Sequence, residues 1–95
     1  MIEEIMKETL ISVLDKGYTL STNRQEIDGK ATDIFYYRLF APGNDATKPG
    51  KHARNVYGYI STEGMTDREA AYSAAYFLLG TLEGRGKVKM EKVTT

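Results

Sequence analysis

The chain has 95 residues with 13 basic and 13 acidic side chains, so its net charge is zero. That length suits one domain, residues 1–95, with a thin core, because a chain of this size buries only roughly 60–65% of its unfolded surface. Having no cysteine excludes disulfides and thiol chemistry, and neutrality argues against a general nucleic-acid binder, whose footprint is strongly basic.

Ile2, Ile5, Met6, Leu10, Val13 and Leu14 recur at helical spacing and form one apolar stripe. Glu3 and Glu4 in the first turn and Lys16 near the last suit the helix dipole, and Gly17 is placed to end the helix. The expectation is one helix from Ile2 to Lys16. Tyr18, Leu20 and Thr22 then alternate with polar neighbours as in a half-buried strand. Asp28-Gly29 is a two-residue hairpin signal. Thr32 to Ala41 is nearly all apolar or aromatic, so both faces of that strand are occupied and it should be central in its sheet.

Pro42 to Asn55 reads as a long loop with two prolines, two glycines and no periodicity. Val56 to Thr62 reads as a strand with Tyr57 and Tyr59 on one face and Val56, Gly58 and Ile60 on the other. Thr66-Asp67-Arg68-Glu69 is a capping box, in which the threonine oxygen accepts from the amide three residues on and the glutamate reaches back. A second helix should follow to about Glu83, with Gly84 as its C-cap. Ala71, Ala74, Ala75, Leu78 and Leu82 form one face of it; Tyr72, Tyr76 and Leu79 form another; Phe77 lies outside both. Gly80 inside this helix costs up to ~1 kcal/mol against alanine, which suggests close packing there. Lys87 to Val93 is a short charged edge strand or a frayed tail. The expected fold is α+β: a two-layer sandwich with a three-stranded antiparallel sheet, optionally a fourth edge strand, and two helices on one face, in the order αβββα(β).

No apolar run approaches the ~18 residues of a membrane span. The acidic start lacks the basic flank of a signal peptide, so a cytoplasmic location is expected. His52 is the sole histidine. A zinc site wants several His or Cys ligands, and a catalytic triad would have to use this one loop residue. Gly84-Arg85-Gly86-Lys87 lacks the strand-before, helix-after context of a phosphate loop. No catalytic residue, metal or cofactor is therefore expected, and an enzyme is the least favoured class.

Two clusters carry the functional candidates. Lys48, Lys51, His52 and Arg54 gather charge in one loop that can meet phosphate oxygens or an acidic protein surface; the same residues also read as a solvated hairpin loop. Tyr36, Tyr57 and Tyr59 on the sheet, and Tyr72 and Tyr76 on the second helix, are candidates for a partner or dimer interface, where tyrosine is enriched. Cross-strand aromatic packing is the plainer account of the sheet tyrosines.

The run Thr66-Asp67-Arg68-Glu69-Ala70-Ala71-Tyr72-Ser73-Ala74-Ala75-Tyr76-Phe77-Leu78-Leu79 resembles the last helix of double-stranded-RNA-binding domains, and Val56-Tyr57-Gly58 resembles that family's last strand. The resemblance implies a helix, three strands, helix order and duplex binding, with Arg68 as a phosphate contact. The family's paired lysines are replaced by Asp67 and Arg68. Its Gly-x-x-His loop is echoed in Pro49-Gly50-Lys51-His52, too close to the helix for both matches to hold. A looser resemblance, through Asp15-Lys16-Gly17-Tyr18-Thr19, is to small phage-encoded anti-CRISPR proteins. It implies a phage or mobile-element inhibitor acting by occlusion in a bacterial or phage-infected host cytosol. A protein-binding module, through a protein partner or a homodimer, ranks first; nucleic-acid binding of the double-stranded-RNA type ranks second.

Overall fold

A computed structural model describes residues 1–48, 50 and 54–87. The first apolar stripe folds as two helical pieces, α1 (Ile2–Thr9) and α2 (Ile11–Leu14), rather than one helix. Leu10 has φ −95° and ψ 11°, in the sparsely populated bridge region. Just before it the Thr9 hydroxyl donates 2.9 Å to the Ile5 carbonyl, a back-bond that bends helices. The stripe survives the bend, since Ile2, Met6, Leu10 and Val13 are all buried. Gly17, at φ 97°, ends the segment as expected, and its amide donates to the Leu14 carbonyl.

Strands β1 (Thr19–Ile27), β2 (Lys30–Phe40) and β3 (Val56–Ser61) form one antiparallel sheet in the order β1-β2-β3, which makes β2 central as its two-faced hydrophobicity implies. Ile27 pairs with Lys30 around Asp28 (φ 51°) and Gly29 (φ 78°), two successive left-handed residues that match the twist of a tight hairpin. The β1–β2 register shifts between Arg24 and Glu26, and the displaced Gln25 bonds the Tyr36 hydroxyl and the Thr32 hydroxyl. The β2–β3 pairing sets Phe35 against Ile60, Tyr37 against Gly58 and Leu39 against Val56.

Helix α3 (Asp67–Gly84) opens on the expected capping box: the Glu69 amide donates 3.1 Å to Thr66 Oγ1, and the Thr66 amide donates 3.1 Å to Glu69 Oε1. At its other end the sequence reading needs correction. Gly84 stays helical, Arg85 is the C-cap, and Gly86, at φ 72°, takes the left-handed turn. Gly80 also departs from expectation: it is exposed, and a Cβ there would meet nothing within 4 Å, so close packing is not its role. Of the Lys87–Val93 segment, the Lys87 amide donates to the Leu82 carbonyl; Val88–Val93 lies outside the described residues.

One core joins both layers. Ile2, Met6, Leu10 and Val13 meet Ala70, Ala71, Ala74, Ala75, Leu78 and Leu82 of α3 and the β-sheet residues Leu20, Phe35, Tyr37, Leu39 and Val56. The four buried alanines keep the α3 surface flat, which lets α1 and the sheet pack against it. The strand residues in this cluster share one side of the sheet, so α1 and α3 cover one face. The Met1 amino group lies 3.3 Å from the Asp67 carboxylate, which sets the two helix starts at the same end; this exposed pair contributes little stability itself. The fold is a two-layer α+β sandwich.

Candidate functional site on the helix-free face of the sheet

Strand alternation decides what the uncovered face displays. From β2 it carries Lys30, Thr32, Ile34, Tyr36, Arg38 and Phe40; from β1, Thr19, Ser21 and Asn23; from β3, Tyr57, Tyr59 and Ser61. Tyr36 and Tyr59 are cross-strand partners with ring centroids 5.9 Å apart, and Phe40 meets Tyr57 edge-on at 6.0 Å. The plainer reading of these tyrosines, as cross-strand pairs, therefore holds in part. The pairs do not bury them: Tyr59 is 68% exposed and Tyr57 44%. Phe40, at 3%, is buried.

Arg38 lies between the two aromatic pairs. Its cross-strand neighbours are Ser21 on β1 and Tyr57 on β3. Nη2 donates at 3.4 Å to Ser21 Oγ and at 3.3 Å to Asn23 Oδ1, both long, and buried Nε has no acceptor among the described residues. Of the face residues just named, only Arg38 and, at the hairpin end of β2, Lys30 are charged.

A groove of about 770 Å³ opens here. Asn23, Tyr36, Arg38, Tyr57 and Tyr59 line it from the uncovered face, while Tyr37, Gly58 and Phe77 line it from the other side of β3. It wraps over β3 at Gly58, where no side chain intervenes. Phe77, which belongs to neither apolar face of its helix, projects to the Tyr37 ring at 6.0 Å and stays 50% exposed. Burial pushes the Tyr37 phenol above its usual range, so it remains neutral.

The other candidates are scattered. Tyr72 and Tyr76 stack on each other at 6.2 Å on α3, on the opposite side of the sheet from Tyr36, Tyr57 and Tyr59. Arg68, in the first turn of α3, is turned onto Tyr72: Nη1 donates 2.8 Å to the phenol oxygen and the guanidinium lies 5.8 Å from the ring centroid. Lys48 sits in a turn closed by Asp45, whose Oδ1 accepts from the Lys48 and Thr47 amides and from the Thr47 hydroxyl. The Thr47 hydroxyl above all, and then the two amides, hold the Asp45 carboxyl below its ordinary value. Arg54 is exposed just before β3. Lys51 and His52 lie outside the described residues. Arg68 follows β3 in the chain and Lys48 precedes it.

Two residues that matter to this region carry little sequence signal. Asn55 is 2% exposed. Its Oδ1 accepts from the Ala41 amide at 2.8 Å and from Asn44 at 2.9 Å, its Nδ2 donates to the Tyr57 hydroxyl at 3.0 Å, and its carbonyl accepts from Arg85. Arg38 could have been placed from parity, two residues from Tyr36 on one strand, although its lack of a carboxylate among the described residues could not. No helix is long and apolar enough to cross a membrane, and no group of three or more His, Cys, Asp or Glu converges, both among the described residues. Comparison with protein-family models, curated proteins and solved structures gives no match.

Proposed function

We propose that this chain is a protein-binding module that acts by laying the helix-free face of its sheet over a surface of its partner. One observation carries the reading: Tyr57 and Tyr59 stay exposed, at 44% and 68%, on a grooved face that no described helix or strand covers. Tyrosine supplies large contact area at small entropic cost and is enriched at interfaces. Exposed aromatic area on one side of a sheet otherwise costs solubility. The mode of action is occlusion, in which the area covered does the work. The helix tyrosines Tyr72 and Tyr76 offer a competing surface on the far side.

The experiment isolates the partner by affinity purification of the full chain from its native cells, then measures the affinity of the purified pair. Tyr59→Ser is expected to weaken the complex by about 2 kcal/mol, the scale of an interface hot spot, while Tyr76→Ser leaves it unchanged. The reverse pattern moves the interface to α3. Loss with neither variant removes the reading.

A further inference from the structure

We propose that Arg38 is the anion-recognition point of this face, taking a carboxylate from an aspartate or glutamate on an acidic segment of the partner protein. The inference rests on the partner-binding reading above and adds the chemistry of the partner. A half-buried guanidinium beside aromatic rings gives up part of its hydration, and proteins commonly offset that with a carboxylate. Here none is supplied among the described residues: Arg38 makes two long hydrogen bonds to neutral oxygens, both through Nη2, and Nε has no acceptor. Nε is buried, so an incoming carboxylate meets the guanidinium end-on through Nη1 and Nη2, a charge-assisted fork of the strong kind. Tyr36, Tyr57 and Tyr59 line the groove around it, ready to pack the apolar parts of the flanking residues and to exclude water from the ion pair.

Charge also separates the competing occupants. A second copy docking face to face about a twofold axis brings two Arg38 side chains into one interface and no carboxylate from either groove to pair them, which is unfavourable. A nucleic acid strand could stack on the tyrosines, but strands are held by several cations along the backbone, and Arg38 is the one cation among the residues that line the groove. An acidic protein segment needs only one.

The test selects a randomised displayed peptide library on the full chain and repeats the selection on Arg38→Gln and Tyr59→Ser, each first shown to melt cooperatively. Peptides enriched on the wild type are expected to carry Asp or Glu beside an apolar residue. They should bind Arg38→Gln about tenfold more weakly, with Arg38→Lys, which keeps charge but loses the fork, in between. Enriched peptides that need Tyr59 but show no acidic excess, or bind Arg38→Gln equally well, overturn the anion proposal and leave the surface reading standing. If no peptide is enriched, or enrichment ignores Tyr59, both fall. Arg38-dependent retention of oligothymidylate without acidic-peptide binding overturns the proposal in favour of a single strand, and sedimentation of the wild type as an Arg38-dependent dimer overturns it in favour of a second copy.

Discussion

The ring of Tyr37 lies across Gly58, its cross-strand partner, so closely that a Cβ at position 58 would stand 2.5 Å from Cε2 and 2.8 Å from Cζ. An aromatic ring covering a glycine on the neighbouring strand shields the exposed backbone and replaces the missing side chain. It also opens the groove over β3, because nothing but the tyrosine ring fills that position.

Gly58→Ala should therefore destabilise the fold by about 1–3 kcal/mol, the cost of overpacking a filled site. Tyr37 cannot simply swing aside, since it is buried and packed against Phe77. Urea titration at neutral pH checks this. A variant as stable as the wild type would mean that the ring moves freely, and that the groove wall is soft.

Gly80→Ala should act in the opposite direction. Position 80 is in mid-helix, exposed, and open to solvent where a Cβ would stand. Alanine restricts the unfolded chain and adds no clash, so stability should rise by about 0.5–1 kcal/mol. The midpoint of chemical unfolding should move up with an unchanged slope. A loss of stability would reveal a contact at Gly80 that the described residues do not make.

Asn55→Ala should cost about 2–3 kcal/mol, because the buried Ala41 amide loses its acceptor and the Tyr57 hydroxyl loses a donor. The change also releases the end of the connection from β2 to β3. Exchange of the Ala41 amide with deuterium should be slow in the wild type and quicken in the variant well beyond the change in global stability.

Acid should loosen the start of α3. The Thr66 backbone amide above all, and then the Thr66 side chain, hold the Glu69 carboxyl below its ordinary value. The folded chain thus binds that proton more weakly than the unfolded chain does, and the cap's contribution is whole above the unfolded value of about 4.3. It is lost as pH falls through the lower folded value. Glu69→Gln keeps an acceptor oxygen without the ionisation, so its melting temperature should fall less steeply than that of the wild type between pH 5 and about pH 2. Thr66→Ala should cost about 1 kcal/mol at neutral pH. Parallel acid profiles for wild type and Glu69→Gln would remove Glu69 from the account.

Local pattern determined a great deal of this molecule. The αβββα order, the Asp28-Gly29 hairpin, the central place of β2, the capping box at Thr66 and the buried face Ala71-Ala74-Ala75-Leu78-Leu82 all follow from periodicity and from residues whose backbone preferences act within four positions. Alternation alone also set Tyr57 and Tyr59 on the face opposite Ile60. Tertiary structure decided the rest, because it depends on which surfaces approach. The bend at Leu10, which the Thr9 back-bond favours, leaves Ile2, Met6, Leu10 and Val13 together in the core with α3 and the sheet. Gly80 points outward because the alanine face of its helix, and not the glycine, meets the core. Arg38 meets no carboxylate among the described residues, because no described helix or strand folds over its side of the sheet, and that lone charge, set beside the ring of Tyr37 over Gly58, is what turns a strand pattern into a candidate binding surface.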